Sequence, residues 1–318
     1  MKLGSHPYTL RQLQYAVAVA ETLSFRQAAE QCHVSQPSLS AQLAQLESAL
    51  GVRLFERNCK RVFPTEAGNE LVRRARQILI EADDLMAAAK QLGDPLTGTL
   101  RMGVIPTISP YLLPRITPAL RSRYPKLTVH WVEDKTETLL RQLDAGKVDA
   151  ALLALEADIG DMEREVVARD PFVLATPPGH PLGAKRSPAA PSELRGASVL
   201  LLDDGHCFRD QALAVCSSAK ARELEFRATS LSTLAQMVAG GGGVTLLPEL
   251  AVPTEAGRAG LAVRPFAQPA PCRTIALAWR KTSPLGRALK EIAGTIREAY
   301  PNKGTVAGQS TRRKPSRR

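Results

Sequence analysis

The stretch LLLDDGHCFRDQALAVC, residues 200–216, holds the side chains best suited to chemistry. Cys207 follows Asp204, Gly205 and His206, and the run after it has helical character, which sets the thiol near a helix N-terminus. There the unpaired backbone N–H groups favour a thiolate, as do a protonated His206 and Arg209. Asp203, Asp204 and Asp210 oppose that shift, and the sequence leaves the sum open. Cys216 stands nine residues further on. In an intact helix that spacing means roughly 13.5 Å of rise and opposite faces, whereas a disulfide needs Cα atoms within about 7 Å. If the two thiols join, the helix between them has to unwind and repack, so that oxidation becomes a change of shape. Taken separately, Cys216 in ALAVC is an ordinary buried small residue and Cys207 an inert loop thiol. Eight intervening residues are not a usual metal-ligand spacing, so neither a metal nor any other cofactor is expected.

The elements that would position this pair belong to a long chain. With 318 residues, 44% of them hydrophobic, two or three domains with separate cores are expected. The formal net charge is +11, but residues 303–318 carry six basic residues and no acid, so five charges remain for the rest. That stretch lacks apolar periodicity and reads as a disordered basic tail, either simply solvated or helping to hold DNA phosphates. No run has the length of a membrane span and the start lacks the blocks of a signal peptide, so a cytoplasmic location is expected. Five cysteines in a chain of this length do not make a disulfide scaffold.

The first sixty-five residues carry a second kind of chemistry. Thr9 and Ser24 are good N-caps for two helices, the second running from Phe25 to about Cys32, and Ser35 starts a third. In that third helix Leu39, Leu43, Leu46 and Leu50 form one stripe. Gln36, Pro37, Ser38, Ser40, Ala41 and Gln45 lie off the stripe, short and uncharged enough to enter a major groove. Two strand-like pieces follow, with Arg53, Arg57, Lys60 and Arg61 forming a basic wing. Three helices and a hairpin fit any small bundle, but FRQAAEQCHVSQPSLSAQLAQLESALGVRLFER resembles the DNA-binding head of the LysR-type regulators, with its A-A, S-Q-P-S-L-S, L-E-x-x-L-G and L-F-E-R elements at that family's spacing. The resemblance implies that Gln36, Pro37, Ser38, Ser40 and Ala41 face bases or nearby backbone and that Arg57 meets phosphate. Ala41 could read a base only through an apolar contact such as a thymine methyl.

Residues 65–92 lack proline and keep Leu71, Ala75, Ile78, Leu79, Ala82, Leu85, Met86 and Ala89 at helical spacing, which predicts a long linker helix closed by Gly93, Asp94 and Pro95. So amphipathic a helix needs a partner, and a second copy is the family's solution, giving a homodimer or homotetramer. Beyond it, short apolar runs alternate with helical stretches, predicting a mostly parallel sheet. The glycines at 240–243 follow a helix instead of a strand and read as a C-cap and turn. The expected whole is α+β multidomain: a winged helix-turn-helix at 8–65 (the motif itself about 25–44), a linker and dimerisation helix at 66–93, a regulatory domain at 94–302 and the tail at 303–318. By the resemblance, the regulatory domain has two α/β lobes around a cleft, like a periplasmic binding protein, with lobe one at 94–168 and 275–302 and lobe two at 169–274.

The resemblance narrows at GHCFRDQALAVC, VIPTISPYLLP, FRATSL and GVTLLP, which are similar to the hydrogen peroxide-sensing members of that family, and it runs over residues 8–300. It implies that Cys207 is the peroxidatic thiol and Cys216 the resolving one, joined in a reversible disulfide. Thr107 and Thr136 would hold peroxide, His206 and Asp210 would assist proton transfer, and Arg273 would stabilise the thiolate. Read without the resemblance, both threonines are ordinary cap or turn residues. The implied partners are promoter DNA of oxidative-stress genes, hydrogen peroxide, RNA polymerase and a cellular dithiol reductant. Cys272, directly before Arg273, and the basic tail depart from the pattern, while Cys32 and Cys59 read as structural. Two alternatives are a LysR-type regulator answering a small anionic metabolite in the cleft, and a thiol peroxidase fused to a DNA module. The expected protein is a regulator and not an enzyme.

Overall fold

A computed structural model of the chain describes residues 6–58, 61–91 and 96–301. Cys59, Lys60, the segment 92–95, the tail 303–318 and the side chains of Arg57 and Arg61 lie outside the described residues. The chain divides into two compact units that part at Gly93.

In the N-terminal unit, α1 (Leu10–Thr22), α2 (Phe25–Gln31) and α3 (Gln36–Leu50) each start at a side-chain cap. Thr9 and Gln12 form a reciprocal capping box, which satisfies two orphan donors at once. Ser24 and Ser35 accept from Gln27 N and Ser38 N. Leu39, Leu43 and Leu46 are buried against Leu13, Ala16, Val19 and Ala28, while Leu50 at the helix end is only half-buried. Strands β1 (Phe55–Asn58) and β2 (Arg61–Pro64) pair antiparallel as the wing. Glu47 on α3 ties the wing's root by accepting from Leu54 N at 2.8 Å and Phe55 N at 3.3 Å. Helix α4 (Glu66–Gln91) leaves the wing at Gly68, where a Cβ would stand 2.0 Å from Leu54 O, so only glycine lets the two backbones meet. Its Val72 and Ala75 join the core, but Leu85 and Met86 are 70% and 63% exposed, an apolar face without cover in the single chain.

The C-terminal unit runs β3 (Gly98–Val104), α5 (Ser109–Arg123), β4 (Leu127–Glu133), α6 (Thr136–Asp144), β5 (Ala150–Ala154), β6 (Met162–Thr176) and α7 (Pro181–Ala184). It continues β7 (Ser198–Leu202), α8 (Cys207–Ser218), β8 (Arg222–Ala228), α9 (Leu231–Ala239), β9 (Thr245–Pro248), α10 (Val252–Ala259), β10 (Ala262–Pro265), β11 (Cys272–Arg280) and α11 (Gly286–Ala299). Every residue of β5 is buried, as an all-apolar AALLA run under helices requires. Helix α11 packs Leu289, Ile292, Ala293 and Ile296, one face at helical spacing, into the same core.

The expectation of a mostly parallel sheet is corrected. Strand β3 pairs parallel with β4 and β5, but β11 pairs antiparallel with both β5 and β6, and β9 and β10 pair antiparallel with β6. The reason is a return strand: β11 comes back from the far part of the chain and inserts between β5 and β6, which local alternation cannot reveal. Strand β6 links two zones, its first part held by β11 and its last by β9 and β10, while β7 and β8 form a separate parallel pair. Residues 240–243 close α9 as expected: Gly240 N bonds to Gln236 O, and Gly242 N to Met237 O. No helix among the described residues is long and apolar enough to cross a membrane.

Candidate redox centre and nucleic-acid interface

Strand β7 ends at Leu202, and the loop to α8 turns at Gly205, whose φ of +84° favours glycine. His206 occupies the N-cap position without a side-chain cap, so Cys207 is the first residue of α8. Burial is the largest influence on the Cys207 thiol and pushes its pKa up, against the lowering pull of Arg273, the Thr136 hydroxyl and the Phe208 N–H. The thiol is thus protonated at neutral pH, and the groups that favour its thiolate stand ready around it. His206 is pushed down, first by burial and then by the positive charge of Lys135, so its imidazole is neutral. The reading in which a protonated His206 favours the thiolate is therefore corrected, and Arg273 carries that role. Arg209 is buried and turned to Asp204, Leu202 O and Glu223 at 2.8, 3.2 and 2.8 Å.

Arg273 has no exposed surface, and neither has Asp170, its register partner across β6 and β11. Its Nε donates to Asp170 Oδ2 at 2.9 Å, Nη1 to Thr107 Oγ1 at 2.7 Å and Nη2 to Thr107 O at 3.0 Å. Asp170 Oδ1 accepts from Leu250 N at 3.0 Å, which fixes the carboxylate and through it the guanidinium. Because Thr107 Oγ1 accepts from Arg273, its own proton is left to point elsewhere. The guanidinium lies 5.7 Å from the Phe208 ring centroid, and Phe208 meets Phe172 edge-on at 5.1 Å, so apolar rings shield this charge from water.

Thr107, Thr136, His206 and Cys207 line one small pocket together with Ile105, Pro106, Lys135 and Gly205, too tight as it stands to admit a water molecule. Thr136, first residue of α6, has a buried hydroxyl that favours the Cys207 thiolate and makes no well-formed hydrogen bond to any other group among the described residues. Asp210 lies exposed on the first turn of α8, outside the cavity lining. Cys216 is buried in the last turn of the same helix, its pKa pushed up to about 12 by burial. Both cysteines are free thiols, as is the partly buried Cys272. Sequence reasoning missed Asp170, 103 residues from its partner Arg273, and Lys135, whose side chain reaches the 203–206 loop. Neither has a local signature that could have revealed it.

Next to this tight pocket opens a cleft of about 380 Å³, lined by Pro110, Tyr111, Glu133, Asp134, Lys135 and residues 229–232 among others. Within it Tyr111 and Ser232 both donate to the buried Glu255, at 2.8 and 2.7 Å. In the N-terminal unit Gln36, Pro37, Ser38, Ala41 and Gln45 are exposed and Ser40 half-buried, on the side of α3 away from its leucine stripe. Pro37 in the first turn costs no hydrogen bond there.

Comparison with known proteins accounts for both units. The family model described as bacterial regulatory helix-turn-helix protein, lysR family, matches residues 10–69, and the LysR substrate binding domain matches residues 93–301. A hydrogen peroxide-inducible genes activator of Pectobacterium carotovorum subsp. carotovorum is 47% identical over 290 residues, spanning 91% of this chain and 96% of the relative. The structure of a full-length OxyR variant from Pseudomonas aeruginosa is similar with a TM-score of 0.75 and 37% identity, covering 92% of this chain and 96% of that one. A hydrogen peroxide-bound OxyR mutant of Corynebacterium glutamicum has a TM-score of 0.64 and 36% identity, covering 93% of each chain. The chain belongs to the LysR family of bacterial helix-turn-helix regulators.

Proposed function

We propose that this LysR-type regulator senses hydrogen peroxide at Cys207, stores the signal as a Cys207–Cys216 disulfide and controls oxidative-stress genes. The observation that carries the reading is the tight pocket in which a helix-terminal thiol meets two threonines, one polarised by a buried arginine and one whose buried hydroxyl favours the thiolate. Neutral His206 takes the thiol proton as general base, and Arg273, Thr136 and the Phe208 N–H hold the thiolate. The thiolate attacks one peroxide oxygen, the O–O bond breaks, and the departing hydroxide leaves as water with the proton from His206. The sulfenic acid then condenses with the Cys216 thiol, releasing a second water. A cellular dithiol returns the pair to thiols. Since one α-helix now holds both sulfurs, roughly 13.5 Å apart along its axis, the bond requires α8 to unwind.

Two lobes that share β6 and β11 transmit this rebuilding to the assembly. In the cytoplasm, homodimers paired through the exposed face of α4 form tetramers, in which oxidation shifts the DNA contacts and the recruitment of RNA polymerase. Gln36, Pro37, Ser38, Ser40 and Ala41 read promoter bases, and Arg57 holds phosphate. The protein is a sensor and not an enzyme, one turnover per subunit being enough for a signal. Asp210, expected to assist proton transfer, is exposed outside the pocket lining, and from the first turn of α8 its negative charge favours the helix's positive end. A small anionic metabolite is the poorer reading of the cleft, because Glu133 and Asp134 line it beside the cation Lys135. The test is a Cys207→Ser variant: it should bind promoter DNA but lose the peroxide-dependent change in footprint and induction. Full induction in that variant would sink the reading.

A further inference from the structure

Lys135 joins the two walls of the thiol cavity. It immediately precedes Thr136, so its backbone helps place the buried hydroxyl at the start of α6. Its side chain lies along the opposite wall: Nζ donates to Asp204 O at 2.8 Å, and a Cβ added to Gly205 would stand 3.1 Å from its Cδ and 3.2 Å from its Nζ. The same lysine lines both the cleft and the thiol pocket, and with Pro106, Thr107 and His206 it forms the edge they share. Asp204 is anchored on its other side, its carboxylate held by Arg209 and Arg227. The carbonyl-to-ammonium bond is therefore a tie from the start of α6 to the loop, set at the edge that the cleft and the thiol pocket share.

We propose that Lys135 is a specificity-determining tether: it holds the 204–206 loop against α6, resists the opening that an oxidant needs to reach Cys207, and so favours hydrogen peroxide over the bulkier alkyl hydroperoxides. The inference rests on the peroxide-sensing reading above. The chemistry excluded is the same for any hydroperoxide: the thiolate and the terminal oxygen form an S–O bond, the O–O bond breaks, and an alcohol leaves in place of water after taking up one proton. Selection acts through space and not through the reaction. The pocket is closed to a water-sized molecule as it stands, so any hydroperoxide needs the loop to give and a larger one needs it to give further; an ammonium that donates to a main-chain carbonyl resists that movement without blocking it.

The test uses the full reduced chain and two variants. Lys135→Met keeps the side-chain length and removes the donor, whereas Lys135→Arg keeps a donor. The rate constants for oxidation of Cys207 by hydrogen peroxide and by tert-butyl hydroperoxide are measured by mass spectrometry of the quenched thiol. Alkylation of Cys207 by iodoacetamide and by the bulkier N-ethylmaleimide is followed in the absence of peroxide. The ratio of hydrogen peroxide to alkyl hydroperoxide rates should fall roughly tenfold in Lys135→Met, the scale on which pocket contacts discriminate substrates, and stay near the parent value in Lys135→Arg. The iodoacetamide preference should fall alongside it. Normal oxidation by hydrogen peroxide with both ratios unmoved in Lys135→Met would overturn the tether and leave the sensing reading standing. A parent chain whose Cys207 does not react with hydrogen peroxide would remove the sensing reading and the tether's role with it.

Discussion

Replacing Arg273 by Met separates what its guanidinium does for the fold from what it does for the thiol. Arg273 and Asp170 have no exposed surface, so the substitution leaves a carboxylate buried with Leu250 N as its remaining hydrogen-bond donor from the main chain. Breaking a buried pair from one side costs about 3–5 kcal/mol, and Asp170→Asn alone, which strands the guanidinium, should cost about as much. Independent losses would sum to roughly 6–10 kcal/mol. The double variant strands no charge, and the carboxamide that replaces the Asp170 carboxylate would still accept from Leu250 N. What remains is chiefly Thr107 O left without its donor, a loss of about 1–3 kcal/mol. Urea unfolding of the reduced chain, followed by the fluorescence of buried Trp279, measures all three variants. The same double variant should still oxidise slowly at Cys207, because the largest thiolate-favouring group is gone. A double variant whose loss equals the sum of the singles would refute the coupling, and one that reacts at the parent rate would refute the role of Arg273 in the chemistry.

Thr136→Val removes a buried hydroxyl without a well-formed hydrogen bond at nearly constant volume, so thermal stability should hold or rise while oxidation of Cys207 slows by roughly 100-fold, the scale of losing one preorganised donor; stopped-flow mixing with peroxide decides it. The Cys216 thiol, pushed up to about 12, keeps its proton in the folded chain where the unfolded chain releases it. Its contribution to stability is therefore complete below about pH 8.5 and is lost as pH climbs towards its folded pKa, at up to about 1.4 kcal/mol per pH unit. Cys216→Ala should flatten the alkaline fall in urea stability of the reduced protein by that slope, and an unchanged slope would contradict the assignment. Gln36→Ala should leave the melting temperature alone, since the side chain is exposed, yet cost about 1–3 kcal/mol of discrimination between promoter and unrelated DNA in titrations at fixed salt.

The parts of this molecule that local chemistry dictates were legible beforehand. Thr9, Ser24 and Ser35 announce three helices because short polar side chains satisfy orphan N–H groups, and the leucines of α3 announce the buried face by period alone. Cys207 at a helix start and Cys216 in the same helix were readable for the same reason. What depends on distant pairing was not. The insertion of β11 between β5 and β6 made the sheet mixed, and with it came the Arg273–Asp170 pair, which no window of sequence contains. The charge state around Cys207 was equally hidden, since burial of the thiol and of His206 outweighs the helix terminus, and burial is a property of the whole fold. The neighbour of Thr136 gave no sign that its ammonium would reach Asp204 O.

The sensing account stands or falls on which sulfurs react. The direct measurement is mass mapping of every cysteine in the reduced full chain before and after one equivalent of hydrogen peroxide, with free thiols blocked at once. The account predicts loss of the Cys207 and Cys216 thiols together and a peptide pair linking them, with Cys32, Cys59 and Cys272 still alkylated. A bond from Cys207 to Cys272, or oxidation spread evenly over the five thiols, would contradict it.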